Sequence, residues 1–204
     1  MADVQLLDHL LTVIEQNILP KTRIGVTQGN KIFGAAILKK SDFTVVIAET
    51  NNEVENPLWH GEMHAIKKFY ETEDRSTLPN PKDCIFLAAH EPCSLCLSAI
   101  TWGGYDNFYY LFSHENSRDN FNIPHDIKIL KEVFGNAESN DQPLYNRTNA
   151  FWHSHSIIEM INNLDKCNGD RELLLARVNE IAKLYADLST VYQANKGKAG
   201  IPLD

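Results

Sequence analysis

Residues 84–104 read CIFLAAHEPCSLCLSAITWGG, and no other stretch restricts the fold as strongly. Its first six residues, CIFLAA, offer no polar position, so a strand here has to be buried on both faces. The chain then turns at once into a helix. Pro92 stands at its start, Cys93, Cys96, Leu97 and Ile100 share one side, and Gly103-Gly104 stops it. NFYYLF at 107–112 supplies a second such strand, and IPHDIKILKEVF at 123–134 a helix with Ile127, Leu130 and Phe134 aligned. Upstream, the short apolar runs at 31–39 and 43–48, separated by Lys40-Ser41-Asp42, read as a hairpin. After the polar loop ETNNEVENP, Met63, Ile66, Phe69 and Tyr70 fall on one face of a helix that HGEMH opens. Val4, Leu7, Leu11, Ile14 and Ile18 predict an N-terminal amphipathic helix ending near Pro20. Strands alternating with helices in this way require an α/β fold, its mixed or parallel sheet covered on both sides.

A chain of 204 residues is long enough for one well-packed domain with an appendage. The polar stretch 135–149 is the best linker candidate. Beyond it Leu174, Val178, Ile181, Tyr185, Leu188 and Tyr192 step by four and three residues into a narrow apolar stripe. We therefore expect a main domain over residues 1–138 and a helical extension over 139–204 that packs on that domain or on a partner subunit. A formal net charge of −8 argues against a broad nucleic-acid surface, which neutralises phosphates with Lys and Arg. No apolar run approaches the roughly 18 residues of a membrane span, and the acidic N-terminus lacks the basic start of a secretory signal, so the expected location is cytoplasmic. Four cysteines, at 84, 93, 96 and 167, do not make a disulfide framework.

Two of those cysteines, Cys93 and Cys96, lie one turn apart at a helix start, where the helix dipole favours thiolates and both sulfurs can meet at one point. His60 stands in the first turn of the other helix. Together they supply the three protein ligands of a catalytic zinc site, which keeps its fourth position open. Glu62, two residues after His60, can reach that open position without filling it, and a carboxylate there can take a proton from water and return it to a leaving amine. The zincin spacing H-E-x-x-H is excluded, because Glu62 does not directly follow His60. His64 is left as a packing or surface residue. His90 is a candidate for the pocket mouth or for structural use, Cys84 and Cys167 read as core or loop thiols, and His153 with His155 lacks the partners a second metal would need.

The pairing of His60-Gly61-Glu62 with Pro92-Cys93-Ser94-Leu95-Cys96 resembles the H-x-E and P-C-x-x-C signature of the zinc deaminases. FGAAIL at 33–38, Asn51-Asn52 and His90-Glu91-Pro92-Cys93 extend the similarity to the cytidine and deoxycytidylate deaminase superfamily over roughly residues 30–112. The chain departs from it in places. Many relatives read H-A-E where this one has HGE, and Asn56-Pro57-Leu58-Trp59 replaces the D-P-T of other branches. The resemblance implies a three-layer α/β/α sandwich around a mixed sheet of about five strands, with the helical tail after it. It also implies one Zn2+ per chain on His60, Cys93 and Cys96, and Glu62 as the proton carrier. Candidate substrate-binding residues are Asn51, Asn52, Trp59, Gly61 and Glu91, the last also a structural support. The expected reaction is hydrolytic deamination of a free nucleobase, nucleoside or nucleotide with a cytosine-type or guanine/adenine-type ring, by a homo-oligomer, with a dimer favoured. Two other readings stand beside it: deamination of a base in RNA, disfavoured by the acidic balance, and a catalytically silent zinc module serving as an interaction surface, disfavoured by Glu62.

Overall fold

The computed structural model describes residues 2–72, 74–135, 144–165 and 169–203. Five strands form one sheet: β1 (Gly34–Lys39), β2 (Val45–Thr50), β3 (Cys84–His90), β4 (Asn107–Phe112) and β5 (His153–Ser156), in the order β2-β1-β3-β4-β5. β1 pairs antiparallel with β2 and β3, whereas β3, β4 and β5 run parallel, so the sheet is mixed. The hairpin between β1 and β2 turns where expected. Asp42 caps the turn by accepting from the Thr44 N–H, and Phe43 takes a φ of 60°.

Side-chain alternation explains the layers. From β1, Ala35 and Ile37 face one cluster while Ala36 and Leu38 face another, and β3 divides Phe86 and Ala88 from Ile85 and Leu87 in the same way. On the first face lie α3 (Gly61–Tyr70) and α4 (Ser94–Trp102), which bury Ala65, Phe69, Leu97 and Ile100. The other face is covered by α1 (Ala2–Val13), α2 (Leu19–Thr27), α7 (Ile157–Asn162) and α8 (Gly169–Asn195). Between β4 and β5 run the short α5 (His114–Asp119) and α6 (His125–Glu132), the latter against α4. This is the three-layer α/β/α arrangement with its C-terminal helix. No helix among the described residues is long and apolar enough to cross a membrane.

Two readings need correction. The N-terminal helix does not stop near Pro20: a π-helical segment, Ile14–Ile18, joins α1 to α2, and Pro20 sits in the first turn of α2. A proline that cannot donate to the carbonyl four residues back is tolerated there because the helix has already changed its bonding pattern. The segment 139–204 is not purely helical either, since it supplies β5, the edge strand beside β4. The boundary expected at 138, and Cys167, lie outside the described residues. The apolar stripe of α8 packs on the same chain: Leu174, Val178, Ile181, Tyr185 and Tyr192 are buried with Leu7, Leu11 and Ile14, and Arg177 pairs with Asp8 and Glu15.

Candidate metal centre

Both half-motifs lie at strand-to-helix junctions. His60 is the residue before α3 and Cys93 the residue before α4, each in extended backbone and neither using its side chain to cap its helix. The two helices lie side by side on one face of the sheet, so their N-terminal ends converge. The sulfurs of Cys93 and Cys96 stand 3.6 Å apart, and His60 Nδ1 lies 3.4 Å from the first and 3.8 Å from the second. With Zn–S of about 2.3 Å and Zn–N of about 2.05 Å, a tetrahedron has edges of about 3.8 Å between sulfurs and about 3.6 Å between sulfur and nitrogen. The observed triangle fits zinc on all three edges, and these are the donors that group around one point among the described residues.

Electrostatics within the group follow from burial and proximity. The neighbouring Cys96 thiol and His60 hold Cys93 well below the usual thiol range, while burial pushes Cys96 up. Burial pushes the His60 imidazole down, but the Cys93 sulfur, Glu62 and Glu53 outweigh it and lift it to about 9. Glu62 is buried, its Oε2 3.4 Å from Cys96 Sγ, and burial with the Cys93 charge raises it to about 7.

The site opens into a cavity of about 340 Å³. Lys31, Phe33, Glu53 and Asp126 line it beside His60 and Cys93, with Leu58 and Ile123 on its sides and Ile201, Pro202 and Leu203 from the end of the chain. Part of Asp126 is accessible, but its carboxyl is enclosed, and burial together with the Cys93 sulfur pushes it up to about 6. A smaller void of about 10 Å³, bounded by Phe33, Glu62, His90 and Glu91, adjoins it.

The residues proposed from sequence are not all on this surface. Asn51 is buried and committed to the protein: its Oδ1 accepts from Gly61 N–H at 2.6 Å and its Nδ2 donates to Glu53 at 2.7 Å. Asn52 donates to Glu55, and Trp59 stacks beneath the Lys67 ammonium; neither lines the cavity. Gly61 is there for packing, since a Cβ would stand 2.5 Å from Gly34 Cα, which leaves no room for the alanine of many H-A-E relatives. Glu91 accepts from His114 N–H and the Tyr145 hydroxyl and so anchors the start of α5 below the site. His64 pins α3 to β2, Nδ1 donating to Thr50 carbonyl at 2.9 Å. Of the walls, sequence reading missed Lys31, Glu53, Asp126 and the terminal residues. The first two carried a signal, as charges flanking the otherwise apolar approach to β1 and the loop after β2; the terminal residues carried none.

Residues 11–112 match the cytidine and deoxycytidylate deaminase zinc-binding region. The guanine deaminase of Bacillus subtilis (strain 168) is 33% identical over 120 residues, covering 57% of this chain and 71% of that protein. Among solved structures, a guanine deaminase from Bacillus subtilis shares 28% identity at a TM-score of 0.49, over 66% of this chain and 83% of that one. The guanine deaminase from Nitrosomonas europaea shares 15% identity at a TM-score of 0.46, over 81% of each chain.

Proposed function

This chain belongs to the cytidine and deoxycytidylate deaminase family, a zinc-dependent group of hydrolytic deaminases, and we propose that the ring it acts on is a free purine base of the guanine type. The observation that carries the chemistry is the buried Glu62 carboxyl beside the His60, Cys93 and Cys96 triangle, bordering the small void that adjoins the cavity. Zinc on those three donors would supply the Lewis acidity that makes water a nucleophile near neutral pH. Glu62 manages the protons. Its carboxylate takes one from the attacking water and delivers one to the exocyclic nitrogen, the carbon–nitrogen bond breaks, and ammonia leaves as the ring gains a carbonyl.

Three features support a base rather than a nucleotide. The 33% identical relative is a guanine deaminase. The cavity, about 340 Å³, lies at the small end of the roughly 300–1,000 Å³ range of ligand sites. Among the described residues Lys31 is the one lysine or arginine in its lining, and its ammonium is already held by Glu53 at 2.8 Å, which leaves no free ammonium or guanidinium there for a phosphate. Asp126 offers an acceptor for the N–H groups on a guanine edge, and Phe33 an aromatic wall. Asn51 serves this surface from behind, by fixing Gly61 and Glu53. A homodimer completes the proposal, readable by light scattering.

An ammonia-release screen of the zinc-loaded protein over bases, nucleosides and nucleotides tests this reading. Turnover of guanine above its nucleoside and nucleotides is expected. Turnover confined to a cytosine ring or to nucleotides would overturn the substrate assignment.

A further inference from the structure

Lys31 and Glu53 form an ion pair inside the cavity wall, their side chains 7% and 1% exposed. Burying two charges is costly, and such a pair has to be matched by further hydrogen bonds to be tolerated. Glu53 has them. Oε2 accepts from Lys31 N–H at 3.3 Å and from Asn51 Nδ2 at 2.7 Å, and Oε1 accepts from the Lys31 ammonium at 2.8 Å. A carboxylate has about four acceptor positions, so one remains. His60 Nε2 stands 3.8 Å from Oε1.

The orientation of His60 gives that proximity a meaning. Nδ1 is the nitrogen that faces both cysteine sulfurs, so an imidazole that binds a metal there carries its remaining proton on Nε2, toward Glu53. Ligating histidines are commonly held in this way by a carboxylate, which fixes ring and tautomer and makes the ligand more basic. We propose that Glu53, with Lys31 compensating its charge, is the positioning residue that holds His60 ready for zinc. Asn51 belongs to the same device, because it braces Glu53 with one end of its amide and the backbone of Gly61, next to His60, with the other. The buried pair thus sets the ligand's direction as well as forming part of the wall.

This inference rests on the zinc reading of the site, and one experiment separates the two. The parent, Glu53→Gln and the double variant Lys31→Met/Glu53→Gln are stripped of metal and reloaded with Zn2+ against a chelating dye, then with Co2+ for the visible spectrum. The double variant removes both charges together and carries the test if the single one leaves Lys31 unpaired and fails to fold. The parent is expected to bind one Zn2+, and the variants to bind it about 10–100-fold more weakly with altered Co2+ bands. Variants that melt earlier yet bind Zn2+ as tightly as the parent, with an unchanged Co2+ spectrum, would reduce Glu53 to a structural role and overturn the proposal. A parent that takes up no stoichiometric Zn2+ would overturn the site reading itself, and this inference with it.

Discussion

His90, the last residue of β3, is an imidazole enclosed by rings: Phe33 at 4.8 Å, Phe112 at 5.1 Å, and Phe121 and Tyr185 at 5.2 Å between centroids. Neither ring nitrogen has a hydrogen-bond partner among the described residues, and burial pushes the group from its ordinary 6.5 down to about 3. The folded protein therefore keeps His90 neutral where the unfolded chain would protonate it. A depressed folded value means that the full contribution to stability is present above about pH 6.5 and is lost as the pH falls toward about 3. The gap corresponds to on the order of 5 kcal/mol over the whole window, with a limiting slope of about 1.4 kcal/mol per pH unit. That is a large share of the roughly 5–15 kcal/mol that holds a typical domain together. His90→Phe removes the titration and keeps a ring in the cage. Urea unfolding of both proteins at several values between about pH 7 and about pH 4 should show the parent losing stability more steeply, by up to about 1.4 kcal/mol per unit. Acid effects common to both proteins, including protonation at the metal centre, cancel in the difference. Parallel curves would refute the assignment of a neutral, caged His90. The offset at neutral pH is a separate quantity, since loss of an unpaired polar group gains about 1–3 kcal/mol while the bulkier ring costs a similar amount.

Other expectations concern the centre directly. Glu62→Gln should keep stoichiometric zinc and lower ammonia release by at least about 100-fold, as loss of a positioned acid–base group does, and retained turnover would remove Glu62 from the chemistry. Cys93→Ser and Cys96→Ser should each lose zinc by metal analysis; undiminished stoichiometry in both would refute the donor set. Gly61→Ala should destabilise by about 1–3 kcal/mol or more in a thermal melt, because its Cβ would press on the backbone of Gly34 at 2.5 Å, and an unchanged midpoint would contradict that packing.

Much of this was legible because the relevant residues obey short-range rules. The apolar run at β3, the alternation of β1 and the 3.6-residue spacing on α3, α4 and α8 each signal an element from local pattern alone. The metal ligands were legible for the same reason: Cys93 and Cys96 are one helical turn apart, and His60 stands at the start of the neighbouring helix. β5 was not, since His-Ser-His-Ser has no apolar alternation and becomes a strand only because β4 offers an open edge, with His155 stacked on Tyr109 at 4.5 Å. Asn51 was legible only as part of a loop near the motif: which groups its amide side chain meets within the fold depends on partners up to ten residues away, here Gly61. Asp126 and Ile201 were invisible because long-range packing alone brings them to the cavity.

The cavity joins two parts of the chain. Every donor of the metal centre, and Glu62, lies within residues 11–112, the stretch shared with the deaminase family. The opposing wall, with Ile123, Asp126, Ile129 and Ile201–Leu203, comes entirely from later residues. A chimaera that grafts the later segment of another family member onto this reaction core should therefore inherit that donor's choice of base while retaining the same metal and the same acid. Likeness confined to the first segment says how a member of this family reacts, and the second segment has to be read to learn on what.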